Sequence, residues 1–172
     1  MSWKFAGIII NGVEVEQVLS SFGNLNDTKI SIRIGEALKT KFQDYALGSV
    51  GNSVVIINHF SPYDSAYGKK TMSQLDQKLA ALSKKGKVLC FILDGVTGTY
   101  GTSFFIDGEK VRSKKCISGN PPVTFGAKLP EEFSEKAGDE ETLIFELISN
   151  LIDQPLQELI FDNKNSLTIY QE

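Results

Sequence analysis

Gly86-Lys87-Val88-Leu89-Cys90-Phe91-Ile92-Leu93-Asp94-Gly95-Val96-Thr97-Gly98-Thr99-Tyr100-Gly101-Thr102-Ser103-Phe104-Phe105-Ile106-Asp107-Gly108-Glu109-Lys110-Val111-Arg112-Ser113-Lys114-Lys115-Cys116 spells three strands and two turns. The near-continuous apolar run from Val88 to Leu93 predicts a strand buried on both faces in the middle of a sheet. Asp107-Gly108 between two β-rich runs is a strong hairpin signal. A two-residue loop sets Ile106 opposite Glu109, Phe105 opposite Lys110 and Phe104 opposite Val111. In that register Tyr100, Thr102, Phe104, Ile106 and Val111 share one face. Ser103, Phe105, Lys110, Arg112 and Lys114 share the other, which predicts a basic face bearing one aromatic ring.

The flanking sequence extends this pattern on both sides. Trp3 to Ile10 reads as a first strand closed by Asn11-Gly12, and Val15, Val18, Leu19 and Phe22 then recur at helical spacing. Lys29 to Ile34 alternates, with three isoleucines on one side and Lys29, Ser31 and Arg33 on the other. Tyr45 to Val50 and Ser53 to Phe60 form a second hairpin about Gly51-Asn52. Met72, Leu75, Leu79 and Leu82 mark an amphipathic helix over 71–85 that Gly86 closes. Asp139-Glu140-Glu141 opens another over 140–152, rich in leucine and isoleucine, its acids suited to the positive end of the helix dipole. Residues 118–130 read as a Gly- and Pro-rich crossing, and Leu167 to Tyr170 as a last short strand. The fold expected is α+β: one domain over residues 1–172, a largely antiparallel sheet with two main amphipathic helices packed on it.

Composition bounds the function. At 172 residues, 41% hydrophobic and 23% charged, the chain can bury roughly 70% of its unfolded surface and lies far from the disordered regime. No run approaches the ~20 apolar residues of a membrane span, and the N-terminal run lacks a signal-peptide pattern, so the expectation is a cytoplasmic protein without a membrane partner. The net charge of −3 is divided unevenly: residues 1–129 hold 16 Lys and Arg against 10 Asp and Glu, and residues 130–172 hold 2 against 11. Glu131, Glu132, Glu135, Asp139, Glu140, Glu141, Asp153, Glu158 and Asp162 are therefore candidates for an acidic partner-binding surface. The plainer alternative is that the two ends neutralise each other across the fold.

Catalytic signals are sparse. His59 is the only histidine; with Asp64 as orienter and Cys116 as a thiol beside Lys114 and Lys115, it would make a hydrolase or transferase set. No nucleophile elbow accompanies them. The chain has no Cys-x-x-Cys, no calcium loop and no Lys-Ser or Lys-Thr ending to its Gly95–Gly101 stretch, so no metal or other cofactor is expected. The face formed by Phe105, Lys110, Arg112 and Lys114 could stack and pair with single-stranded nucleic acid, against which stands a pI near 5.3. The loop Ser61-Pro62-Tyr63-Asp64-Ser65-Ala66-Tyr67-Gly68 is long and aromatic enough to be a surface feature with a role.

As a pattern, Thr99 to Phe105, Asp107 to Ser113 and Gly126 to Glu132 resemble an uncharacterised group of small bacterial proteins, some of them immunity-type partners of secreted toxins. The likeness covers roughly residues 86–132 and rests on a strand pair and a turn. It implies a protein that binds and neutralises a toxin stoichiometrically, and it carries no functional residue with it.

Overall fold

Strand and helix alternate because apolar residues recur at two spacings, two apart in the strands and three or four apart in the helices. The computed structural model describes residues 3–39, 43–134, 139–161 and 164–172. The strands are β1 (Lys4–Asn11), β2 (Asn26–Arg33), β3 (Tyr45–Val50), β4 (Ser53–Ile57), β5 (Lys87–Asp94), β6 (Thr99–Ile106), β7 (Glu109–Ile117), β8 (Val123–Gly126) and β9 (Ser166–Gln171). They form one sheet in the order β2-β9-β3-β4-β1-β5-β6-β7-β8. Every neighbouring pair is antiparallel.

Two apolar cores lie on opposite sides of this sheet, which explains the unbroken hydrophobic runs of its central strands. Phe5 and Ile9 of β1 and Leu89, Phe91 and Leu93 of β5 point into the first core. There they meet α2 (Ile34–Lys39), α4 (Glu140–Ile152) and α5 (Leu156–Phe161). Ala6, Ile8 and Ile10 with Val88, Cys90 and Ile92 point into the second, under α1 (Val15–Phe22) and α3 (Gln74–Leu82). The α+β class holds. The expectation of two main helices does not: α3 and α4 are present, but α1, α2 and α5 share the work of covering two faces.

Three local departures have physical causes. In β2 the residue Lys29 has φ 61° and the pairing with β9 shifts between Asp27 and Ser31. That irregularity breaks the alternation, leaving Ile30 57% exposed while Ile34 is buried; a bulge and a lysine are usual protections for a sheet edge. Val123–Gly126 is not a linker but the opposite edge strand, paired to Arg112–Lys115. The β6–β7 hairpin carries the departure that matters most. Phe105 faces Lys110 as expected, but Phe104 faces Arg112 rather than Val111.

Val111 is thus the extra residue of a β-bulge. Beyond it the strand is turned over relative to a regular ladder, so Lys110 and Ser113 face the second core, while Arg112 and Lys114 face the first. Gly126 fits this kink: its φ is 83°, and a Cβ there would stand 2.0 Å from the Val111 carbonyl oxygen. The single basic face of Phe105, Lys110, Arg112 and Lys114 therefore does not form. Phe105 is fully buried, and its three cations are split between two sides of the sheet.

Candidate interaction surface

Each displaced cation of β7 finds an acid of the same chain. Lys110 Nζ lies 2.7 Å from Asp76 Oδ2, with side-chain exposures of 2% and 0%. The same ammonium donates to the carbonyls of Ala66 at 3.1 Å and Thr71 at 3.0 Å. Asp76 also accepts from Ser65 Oγ at 2.6 Å and from the backbone N–H groups of Ala66 and Ser73. Burial raises the Asp76 pKa, but the hydrogen bonds from Lys110, Ser65, Ala66 and Ser73 outweigh it and hold the carboxyl below its ordinary value.

On the other face Arg112 forms a fork with Glu132: Nε donates to Oε2 at 2.9 Å and the NH2 nitrogen donates to Oε1 at 2.6 Å. Burial pushes the Glu132 carboxyl up, and Arg112 with the Leu129 N–H brings it below its ordinary value. Lys114 pairs with Glu140. Glu132 and Glu140 are thus engaged by cations of the same chain. They neutralise the basic strand, as the plainer reading of the charge asymmetry anticipates.

Of the other acids in that set, Asp139 caps α4 by accepting from the Glu141 N–H at 3.2 Å, and Glu131 accepts from Asn150 Nδ2 at 2.8 Å. Glu141 is half-buried, whereas Asp153 and Glu158 are exposed. Glu135 and Asp162 lie outside the described residues.

The loop from Asn58 to Gly68 is held along its whole length. Asn58 Oδ1 accepts from the N–H groups of Phe60 at 2.9 Å and Ser61 at 2.7 Å. Its amide nitrogen donates to the carbonyls of Gln43 and Asp44. Ser61–Asp64 is a 3-10 turn with Pro62 near its start, where a fixed φ suits the first turn of a helix. Tyr67 Oη donates to the Pro62 carbonyl at 2.7 Å, and its ring lies over Gly101, where a Cβ would come within 3.0 Å of it. Gly68 N donates to Ser113 Oγ at 2.8 Å.

This cross-bracing leaves Phe60 55% and Tyr63 46% exposed. The two rings stand at one end of the sheet, where β4 and β5 finish and β1 and β6 begin. Between them opens a hollow of about 330 Å³ that His59 also lines. Phe60 then walls a hollow of about 680 Å³ containing Asp44, Asp64 and Glu172. Tyr63 walls one of about 520 Å³ containing Lys69 and Lys115. The outcome is an aromatic ridge with acid on one flank and base on the other.

His59 and Asp64 both lie at this sheet end, but with Cys116 they do not form one catalytic set. His59 Nε2 lies 3.5 Å from the Ala37 carbonyl oxygen, and Asp64 makes no hydrogen bond or ion pair with it, opening instead into the hollow beyond Phe60. Cys116 sits on β7, four strand positions from β4, roughly 19 Å at about 4.8 Å per step. Burial and then the charge of Glu140 push its thiol up to about 11, the reverse of an activated thiolate. Among the described residues no group of three or more His, Cys, Asp or Glu could hold a metal ion, and no helix is long and apolar enough to cross a membrane. Comparison with known protein families, with curated proteins and with solved structures finds no match.

Sequence reasoning finds the loop but not its flanks. The aromatics of Ser61–Gly68 are visible as letters. Lys69 and Lys115 lie 46 positions apart and meet only because β7 ends beside the loop, so no local signal joins them.

Proposed function

We propose that this protein is a recognition domain that binds another protein stoichiometrically, in the manner of an immunity-type protein that neutralises a toxin in the bacterial cytoplasm, and that it binds through the sheet end bearing Phe60 and Tyr63. The observation that carries this reading is two half-exposed aromatic rings on a loop braced by a buried ion pair. Aromatic anchors dominate interface energies. A loop ordered before binding loses little entropy on docking, which favours affinity.

The charged flanks add orientation. A partner with the opposite polarity on its two sides is drawn into one register, and wrong partners meet like charges. The exposed acids Asp153 and Glu158 lie on the helical layer and in this reading contribute long-range steering alone. The test is affinity capture from the source organism with the tagged wild type and with the Phe60→Ala, Tyr63→Ala double variant. One protein held at one-to-one stoichiometry by the wild type and lost from the variant is the expected result. Equal capture by both, or no stoichiometric partner, rejects the reading. Capture that vanishes entirely at high salt would instead favour a purely electrostatic acidic surface over the aromatic ridge.

A further inference from the structure

The hollow beyond Tyr63 has features that neither the fold nor the ridge accounts for. Its lining includes the buried Ile92, Tyr67 and Ser65, and its walls include Ile117 and Val123, 41% and 53% exposed. Two cations, Lys69 and Lys115, open into it. Among the described residues neither has an acid within 4.0 Å, whereas Lys4, Lys110, Arg112 and Lys114 are each paired. Lys115 is half-buried at the wall of the hollow, where a bound carboxylate would meet a cation not already paired with an acid.

The hollow's cross-section is set by two glycine positions. At Gly68, with φ 71°, a Cβ would lie 2.7 Å from the Val123 carbonyl oxygen, so the loop and β8 touch there and close one side. Gly101 leaves room for the Tyr67 ring, two atoms of which a Cβ there would approach to 3.0 Å. An apolar cleft of about 520 Å³ with a few polar groups has the size and make-up of a side-chain or ligand pocket.

We infer that this hollow is the specificity pocket of the recognition surface and receives an aliphatic or aromatic side chain of the partner protein whose neighbouring residues are acidic. The apolar side chain covers Ile92 and Tyr67, and the flanking carboxylates reach Lys115 and Lys69. The exposed apolar residues Tyr63, Ile117 and Val123 on the walls offer contact in addition to the buried lining, which favours a polypeptide as occupant. The inference rests on the recognition reading and adds to it the chemistry of the bound segment.

The test is an amide-resolved NMR titration at low salt with four probes. These are the capped hexapeptide Ac-Glu-Asp-Leu-Phe-Glu-Asp-NH2, its basic counterpart Ac-Lys-Lys-Leu-Phe-Lys-Lys-NH2, Ac-Glu-Asp-Ser-Gly-Glu-Asp-NH2, and 3-phenylpropionate. Saturable shifts at Thr99, Lys115, Ile117 and Asn120 with the first peptide alone are expected. In Lys115→Glu the affinity should fall about tenfold or more, and Lys115→Arg should restore it. Lys69→Glu, at an exposed position, gives the same direction if Lys115→Glu fails to fold. Three titration results overturn the inference: no shifts at those amides into the millimolar range, equal binding of the basic peptide, or phenylpropionate binding as tightly as the hexapeptide, which makes the pocket a small-molecule site. Loss of partner capture in the Phe60→Ala, Tyr63→Ala variant together with unaltered capture by Lys115→Glu leaves the recognition reading standing and removes this one.

Discussion

The loop Asn58–Gly68 and the acidic stretch from Pro130 to Phe161 present opposite relations between sequence and surface. The stretch is dense in charge, yet Glu132 and Glu140 are used up by Arg112 and Lys114 and Asp139 by the cap of α4. The loop carries one acid, Asp64, and no cation, and it exposes Phe60 and Tyr63 beside three hollows; the stretch exposes Phe133 and Phe161, each 74%, and lines one hollow of about 730 Å³ along α4. A count of charges along a chain measures what folding must pair. Binding capacity is what remains after the pairing is done.

The largest effect is expected from removing the brace beneath the loop. Replacing Asp76 by Ala strands the Lys110 ammonium at a site where its side chain is 2% exposed, and loss of one partner of a buried pair costs about 3–5 kcal/mol. Urea denaturation measures the loss, and hydrogen exchange should show the amides of Ala66 and Gly68 losing protection first. The same pair sets an acid limb. Asp76 and Glu132 are both held below their ordinary 3.8 and 4.5, so their contribution is complete above those values and is lost as pH falls through the lowered ones. Asp76→Asn should flatten that limb in a plot of urea midpoint against pH.

Next in size is the bulge that separates the two cation pairs. Gly126→Ala places a Cβ 2.0 Å from the Val111 oxygen at a positive φ, and the combined clash and strain should cost about 2 kcal/mol. The urea midpoint should fall by the corresponding amount while the slope stays unchanged. A neutral outcome would mean that the hairpin can revert to the regular register with all three cations on one face.

The Phe60→Ala, Tyr63→Ala double variant probes the ridge itself. Binding of a captured partner should weaken by about 2 kcal/mol or more, roughly 30-fold, while stability changes by about 0.5 kcal/mol or less, since the rings are half in water. The smallest effect is expected at the helical layer: Glu158→Lys should move stability by less than about 0.5 kcal/mol and affinity by about twofold at most at physiological salt. A large affinity loss from Glu158→Lys alone would reverse the assignment of the two regions.

How much of this is visible before folding depends on the distance over which each feature is decided. The Asp107-Gly108 hairpin, the central strand Lys87–Asp94 and α4 are written locally, as a turn dipeptide and as apolar spacing. The bulge at Val111 is not, because the residues that accommodate it, Gly126 and Glu132, lie 15 and 21 positions downstream. The short strand Val123–Gly126 hides among glycines and prolines that read as linker. Phe60 and Tyr63 are visible as aromatic letters, but their exposure follows from Asn58, Asp76 and Lys110 acting across the fold. His59, the residue with the clearest chemical meaning in isolation, meets neither Asp64 nor Cys116.

Site-specific photo-cross-linking in cells of the source organism compares the two regions most directly. A benzophenone amino acid at position 60 should trap one discrete protein, and the same group at position 146 on α4 should trap none. A discrete adduct from position 146 with nothing from position 60 would contradict the assignment of the recognition surface to the sheet end.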